Sequence, residues 1–328
     1  MYFDLDDEQR DLAAAARDFL GGSASPAAAR AALESGTSDV PPGRVELAKS
    51  GFAAITVPER VGGGGGSLLD LAVVAEQAGR VLAGPSLVTY ARAAVLLADD
   101  DDRLAALADG SLAVAVVDDG PVLDAVGADT FLALRGDDVV IGTGTVTERE
   151  PLDPTRGLAD VTLDDVEVLA AGAADRWTRA RDVGRTILAA EGLGTAARAL
   201  EIGVAYTKER HAFGRPIGSY QAVKHALVDV YVQVEQLRSL VWWAAWAVDN
   251  APDELPLASA AAKAAAAVAA EQAAETLIQV HGGIGFTWEH DAHLFWRRAK
   301  VDRLLLGDDI GAFDEVATLA LEAAGAAR

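Results

Sequence analysis

Two periodicities alternate along this chain. Through the first 110 residues, apolar positions recur at helical spacing. Asp6 stands where an N-cap would open a helix running through Leu12 and Phe19, with Gly21-Gly22 as its stop. The alanine-rich stretch from Ser23 to Thr37 predicts a second helix, and Pro41-Pro42 opens a short one through Val45 and Leu47 to Ser50. Ser67 caps a helix from Leu68 to Val81 that puts Leu68, Leu71, Ala72, Ala75 and Ala78 on one side. A helix over Val88 to Leu97 follows Pro85. Beyond the charged patch Asp99 to Arg103, a short last helix ends near Gly110.

At Ser111 the texture changes to that of strands. Ala113 to Val117, Phe131 to Leu134, Asp138 to Ile141 and Val161 to Leu163 are rich in strand-forming residues. Asp118-Asp119-Gly120, Gly136-Asp137 and Pro151 to Pro154 separate them as turns. A small antiparallel β region is expected. From about Ala174 the helical pattern returns over Arg176 to Glu209, Tyr220 to Val248, Leu255 to His281 and Ile310 to Ala324. Long alanine-rich helices with short connections pack as an antiparallel bundle. Ala258 to Ala274 is nearly low-complexity, but Lys263, Glu271 and Gln272 interrupt it and no proline does, so it reads as a helix buried on several sides. The expected fold is mainly α, in three parts: an N-terminal helical domain over 1–110, a reduced middle β domain over 111–173, and a C-terminal four-helix bundle over 174–328.

Composition narrows the function. Hydrophobic residues make up 51% of 328, yet no stretch of membrane-spanning length lacks charges. The acidic start, Met1-Tyr2-Phe3-Asp4-Leu5-Asp6, does not resemble a secretory signal. The absence of cysteine excludes disulfides, thiolate nucleophiles and zinc–thiolate sites, and a cytoplasmic location is expected. A net charge of −22 argues against nucleic acid or an anionic membrane as partner. An anionic ligand must be met by locally clustered basic groups.

Three stretches invite chemistry. Gly62 to Gly66 suggests a phosphate loop but lacks the Gly-Lys-Ser/Thr ending, so a flexible turn before the Leu68 helix is expected. Glu289-His290-Asp291-Ala292-His293 has ligand-type residues in a row, but adjacent residues rarely converge on one ion; no metal is expected. Third, Arg210 to Gln221 breaks the helical run with two glycines and a proline, leaving Arg210, Phe213 and Gln221 together at a helix–helix junction. Such a junction is either an ordinary helical hairpin or a place to hold a phosphorylated, planar cofactor.

The last stretch, Arg-x-x-Phe-Gly-x-Pro-Ile-x-x-Tyr-Gln from Arg210 to Gln221, resembles the acyl-CoA dehydrogenase family. So do Gln279-Val280-His281-Gly282-Gly283-Ile284-Gly285-Phe286-Thr287-Trp288-Glu289, the Arg297-Arg298-Ala299-Lys300 that follows, and Val57-Pro58-Glu59-x-x-Gly-Gly. The resemblance implies FAD lying across a subunit interface. Arg210 is then the donor to the pyrophosphate, because a guanidinium can hold two oxygens at once. Phe213 packs near the adenosine half, and Gln221 and Gln279 lie against the cofactor. Gly282 and Gly283 let the backbone approach a phosphate or ribose, unless they only end the helix at His281. Lys208, Arg215 and Lys224 flank the motif, either as solvated helix charges or as contacts for coenzyme A phosphates.

The departures from the family pattern decide the expected role. The family reaction removes the α proton of an acyl thioester with a carboxylate while the flavin takes a hydride from the β carbon. Counting from Arg297-Arg298-Ala299-Lys300, the glutamate position falls on Leu306, before Gly307. The alternative family position falls near Gly184-Arg185, again without a carboxylate. Glu191, about two turns away, and Asp308 and Asp309 remain as substitute candidates. The loop and strand on which the family rests the flavin ring are not found between Ser111 and Gly172. Ring site and base belong largely to one subunit in the family, and the arginine and glycine contacts to another. The pattern therefore implies a half-site subunit that donates FAD contacts to a related chain in a heterotetrameric acyl-CoA dehydrogenase, without a catalytic base of its own. By resemblance, such short paired chains act on bulky acyl-CoAs, including steroid side chains. Three rivals remain: a self-sufficient homotetramer with an atypical base, a flavin oxidase or monooxygenase relative, and a non-enzymatic structural paralogue.

Overall fold

The computed structural model describes residues 4–23, 26–37, 43–150 and 152–326. Met1 to Phe3, Pro41, Pro42 and Pro151 lie outside these residues.

The N-terminal part holds α1 (Asp7–Ser23), α2 (Pro26–Ser35), α3 (Arg44–Lys49), α4 (Leu68–Arg80), α5 (Leu87–Leu96) and α6 (Asp101–Asp109). Asp6 caps α1 as expected, accepting from the Gln9 N–H at 2.8 Å. Gly21 and Gly22, however, lie inside α1 rather than ending it. Neither takes a positive φ, so nothing there turns the chain away. Ser67 caps α4 by accepting from the Asp70 N–H, and Asp70 answers at the Ser67 N–H. The five expected α4 positions are all buried. The glycine run is not a flexible turn. The N–H groups of Gly64, Gly65 and Gly66 donate to Ala54, Val57 and Ile55 carbonyls at 2.8–2.9 Å, so they are not free to cradle a phosphate.

The sheet runs β1 (Val114–Val117), β2 (Thr130–Arg135), β3 (Asp138–Glu148) and β4 (Ala159–Ala170), in that spatial order. It is mixed rather than antiparallel: β1 and β2 are parallel, whereas β2–β3 and β3–β4 are antiparallel. The reason is the connection over 118–129, which returns the chain to the end from which β1 started instead of reversing in a hairpin. β3 and β4 also extend well past the expected segments. Their outer halves are exposed on one face and half-buried on the other, where only Val146, Val161 and Leu163 pack toward the small cluster around Phe131.

The bundle consists of α7 (Ala174–Glu209), α8 (Gln221–Asn250), α9 (Leu255–His281), α10 (Ala292–Leu304) and α11 (Asp309–Ala326). Between α7 and α8 sits the hairpin β5 (His211–Ala212) and β6 (Arg215–Pro216). α9 packs against α7, α8, α10 and α11, and its alanines are buried on several sides as expected. α4 lies across α7 through two glycines. A Cβ on Gly79 would sit 1.9 Å from the Glu191 carbonyl oxygen, and one on Gly194 would sit 1.9 Å from that of Glu76. Gly79→Ala must push these backbones apart; it is expected to cost about 1–3 kcal/mol, read as a lowered midpoint in a thermal melt. No described helix is long and apolar enough to cross a membrane.

Candidate functional site

The ends of α7 and α9 and the start of α8 meet at one end of the bundle. α7 stops at Glu209, and Arg210 turns to extended backbone (φ −72°, ψ 124°). Its N–H donates to the Tyr206 carbonyl and its carbonyl accepts from the Ile217 N–H, both at 2.8 Å. The hairpin between them turns at Phe213 (φ +50°) and Gly214 (φ +79°). A two-residue turn of this kind needs left-handed backbone at both positions, which suits glycine and strains phenylalanine. Phe213 is nevertheless there, and 97% exposed. A strained, exposed aromatic is poor use of a residue for stability alone and points to function. Tyr220 anchors the hairpin: its hydroxyl donates to the Ala212 carbonyl at 3.0 Å, and the Arg215 guanidinium lies 4.0 Å over its ring.

The second motif arrives beside the first. The His281 ring stacks on Tyr206 at 3.9 Å, one helical turn before Arg210, and touches His290 at 4.2 Å. Gly282 (φ +63°) ends α9. No atom lies within 4 Å of where a Cβ on Gly282 or Gly283 would stand, so the backbone is open to a neighbour. Arg210, Phe213, Gln221, Gln279, Gly282 and Gly283 are all exposed. The Arg210 guanidinium makes no ion pair among the described residues. This corner offers an unpaired guanidinium, bare backbone and an aromatic face, a donor set that fits a dinucleotide pyrophosphate and its flanking groups. Among the described residues no group of three His, Asp or Glu side chains could hold a metal.

Leu306 lies elsewhere, in the wall of a cavity of about 840 Å³ where α5, β1, β2, α7 and residues 301–307 meet. Its backbone is left-handed (φ +58°), and its carbonyl accepts from Arg185 Nε at 3.0 Å. The three substitute bases do not line this cavity. Asp308 accepts from the Gly311 N–H at 2.8 Å in the first turn of α11. Asp309 pairs with Arg303 at 2.7 and 3.0 Å, and that hydrogen bonding holds its carboxyl below the usual range. Glu191 is buried, accepts from the Ser86 hydroxyl at 2.9 Å, and forms an ion pair with Arg156 at 2.6 Å, off the hydrogen-bond direction. The lining carboxylates among the described residues are Asp118 and Asp119.

Three features escape a reading of the chain. Arg92 stands in the cavity wall; the one charge in the otherwise uncharged α5 was its signal. A buried ionic cluster fastens the segment leading to Leu306. Arg156 binds Asp302 at 2.8 and 2.6 Å, and Arg298 binds Asp153 at 2.7 Å and Thr155 at 2.5 Å. Burial works against the Arg156 charge, but Asp302 and Glu191 outweigh it and raise its pKa. Third, Lys263 Nζ donates to the carbonyls of Asp302 and Arg303 at 3.2 and 2.8 Å, closing the end of α10. Burial pushes its pKa down to about 8.

A helical block and a small sheet set against a helical bundle, with a cavity at their junction, define the class. Residues 6–98 match the acyl-CoA dehydrogenase N-terminal domain and residues 176–320 the acyl-CoA dehydrogenase C-terminal domain. The chain belongs to the acyl-CoA dehydrogenase family. It is 36% identical over 307 residues to acyl-CoA dehydrogenase IpdE2 of Mycobacterium tuberculosis, covering 92% of this chain and 93% of that one. Acyl-CoA dehydrogenase FadE34 of the same organism is 35% identical over 322 residues, covering 88% of this chain but 45% of that longer one. Among solved structures, the Tcur3481–Tcur3483 steroid ACAD superposes with a TM-score of 0.83 at 28% identity, covering 97% of this chain and 99% of that one.

Proposed function

We propose that this chain is the half-site subunit of a heteromeric, flavin-dependent acyl-CoA dehydrogenase. The observation that carries the reading is the split between the two halves of the site. The corner around Arg210 is open, basic and complete, whereas the cavity has Leu306 where the family pattern expects a carboxylate. A leucine takes no proton, and Arg185 on its carbonyl, itself paired with Glu315, supplies no base.

Flavin, when bound, supplies the acceptor for the β-hydride. This chain's residues do the holding. Arg210 pairs with the pyrophosphate, Gly282 and Gly283 admit it without a side chain in the way, and Phe213 covers its adenosine side. Gln221 and Gln279 orient the cofactor from the ends of α8 and α9. The partner is a related chain that carries the base and the ring-binding loop. The paired name of the steroid ACAD above supports both the heteromer and a bulky, steroid-derived acyl-CoA as substrate. The match to less than half of FadE34 leaves room in that chain for a second unit of similar length. The chain's domains are then 1–110, 111–173 and 174–328, and the complex works in the cytoplasm.

The test is acyl-CoA-dependent reduction of an artificial electron acceptor, measured with this chain, with its partner, and with both. Turnover is expected only with both. Turnover by this chain alone would overturn the proposal in favour of a self-sufficient enzyme.

A further inference from the structure

We propose that the cavity beside Leu306 is a binding site for an apolar ligand carrying one carboxylate, and that Asp118 occupies the ligand's place on Arg92 until it arrives. The cavity, about 840 Å³, falls within the size range of small-molecule sites. Its wall is largely apolar, with Val88, Val116, Leu134, Leu163 and Leu306 among its members. Into this wall α5 sends Arg92, 3% exposed and lying 5.4 Å from the Trp177 ring centre.

A buried guanidinium in an apolar wall demands an anion. Asp118 supplies one end-on, at 2.5 Å from Nη1 and 2.8 Å from Nη2. The fork is thus already shaped for a carboxylate. Arg92 Nε is buried and has no acceptor, so Asp118 leaves the group incompletely satisfied. The pair is also lopsided: the Arg92 side chain is 4% exposed and that of Asp118 35%. Arginine cannot leave the wall, whereas the aspartate stands on the 118–129 connection and can turn into water at small cost. A ligand carboxylate then takes over the fork while the apolar body of the ligand covers the wall. Exchange keeps the charge balance of the cavity unchanged. A neutral ligand cannot make it, because Arg92 would lose its counter-charge. A cation offers nothing to the Arg92 fork; of the other charges in the wall, Arg181 and Arg185 are paired with Glu315, and Asp119 stands beside Asp118.

The proposed site rests on the half-site reading in one respect, that the Leu306 cavity has no base of its own, while none of its residues belongs to the Arg210 corner. The test is calorimetric titration of the flavin-free full chain with octanoate and with octanol. Octanoate is expected to bind at least about tenfold more tightly than octanol. Asp118→Asn removes the competing carboxylate and is expected to tighten octanoate by about tenfold. The same variant leaves Arg92 without its counter-charge, so its lowered melting temperature should recover on adding octanoate. Arg92→Gln is expected to erase the preference for octanoate over octanol. The Asp118 side chain is 35% exposed, so its variant remains informative even if Arg92→Gln does not fold. Equal binding of octanoate and octanol, or octanoate binding that Asp118→Asn leaves unchanged, weakens or fails to reveal, overturns the proposal.

Discussion

Arg210→Ala is expected to loosen flavin in the assembled pair by about ten- to a hundredfold. Hydrogen bonds to a charged group contribute about 1.5–3 kcal/mol, and each 1.4 kcal/mol is a factor of ten. Flavin released on dilution, read by its fluorescence, measures the effect. The guanidinium is exposed and makes no ion pair among the described residues, so the chain's own melting temperature should not move. That separates loss of a ligand contact from loss of fold. Arg210→Lys should fall between, because an ammonium keeps the charge but loses the two-pronged geometry. Unchanged flavin retention in Arg210→Ala would remove this residue from the site.

The second large effect concerns stability. Arg156→Ala is expected to cost about 3–5 kcal/mol, because it strands buried carboxylates without a counter-charge. Arg156 bridges α7 through Glu191 and α10 through Asp302, and is itself 1% exposed. Urea unfolding of the full chain reads the change. Replacing Arg156, Asp302 and Glu191 together with apolar residues of similar volume should cost far less, since no charge is then left unpaired. Equal losses in the single and triple variants would mean that packing, not charge, holds these elements together.

Much of the fold was legible because its signals are local. Ser67 and Asp70 cap α4 from within one turn, and α9 announces itself by the alanine run from Ala258 to Ala274, which no proline interrupts. The parallel pairing of β1 with β2 was not legible, because it depends on the course of residues 118–129 rather than on any alternation within the strands. The full lengths of β3 and β4 were missed because glycines, threonines and acidic residues fill most of their outer halves, leaving only Val146, Val161 and Leu163 to pack inward. The Arg210 corner was readable as a motif, yet the closeness of its two halves rests on Tyr206 stacking on His281, a contact 75 residues apart that no local pattern encodes. The cavity and the buried cluster were the least visible. Arg92 meets Asp118 across 26 positions, and Arg298 meets Asp153 across 145. Each looks like a surface charge until the chain folds.

The strained Phe213 bears on the scaffold alternative. A chain kept only for its shape would gain by replacing an exposed, left-handed phenylalanine with asparagine or glycine. Gly282 also serves to end α9 with left-handed backbone, but Gly283 takes no positive φ, and no described residue approaches its open side.

The central claim is that this chain offers a clamp for a flavin held mainly by another subunit. Flavin content per chain, measured on the purified lone chain and on the co-purified pair, tests it most directly. A colourless lone chain and a yellow pair containing about one flavin for every two chains are expected. A yellow lone chain with about one flavin per subunit, or a pair with no flavin at all, would contradict it.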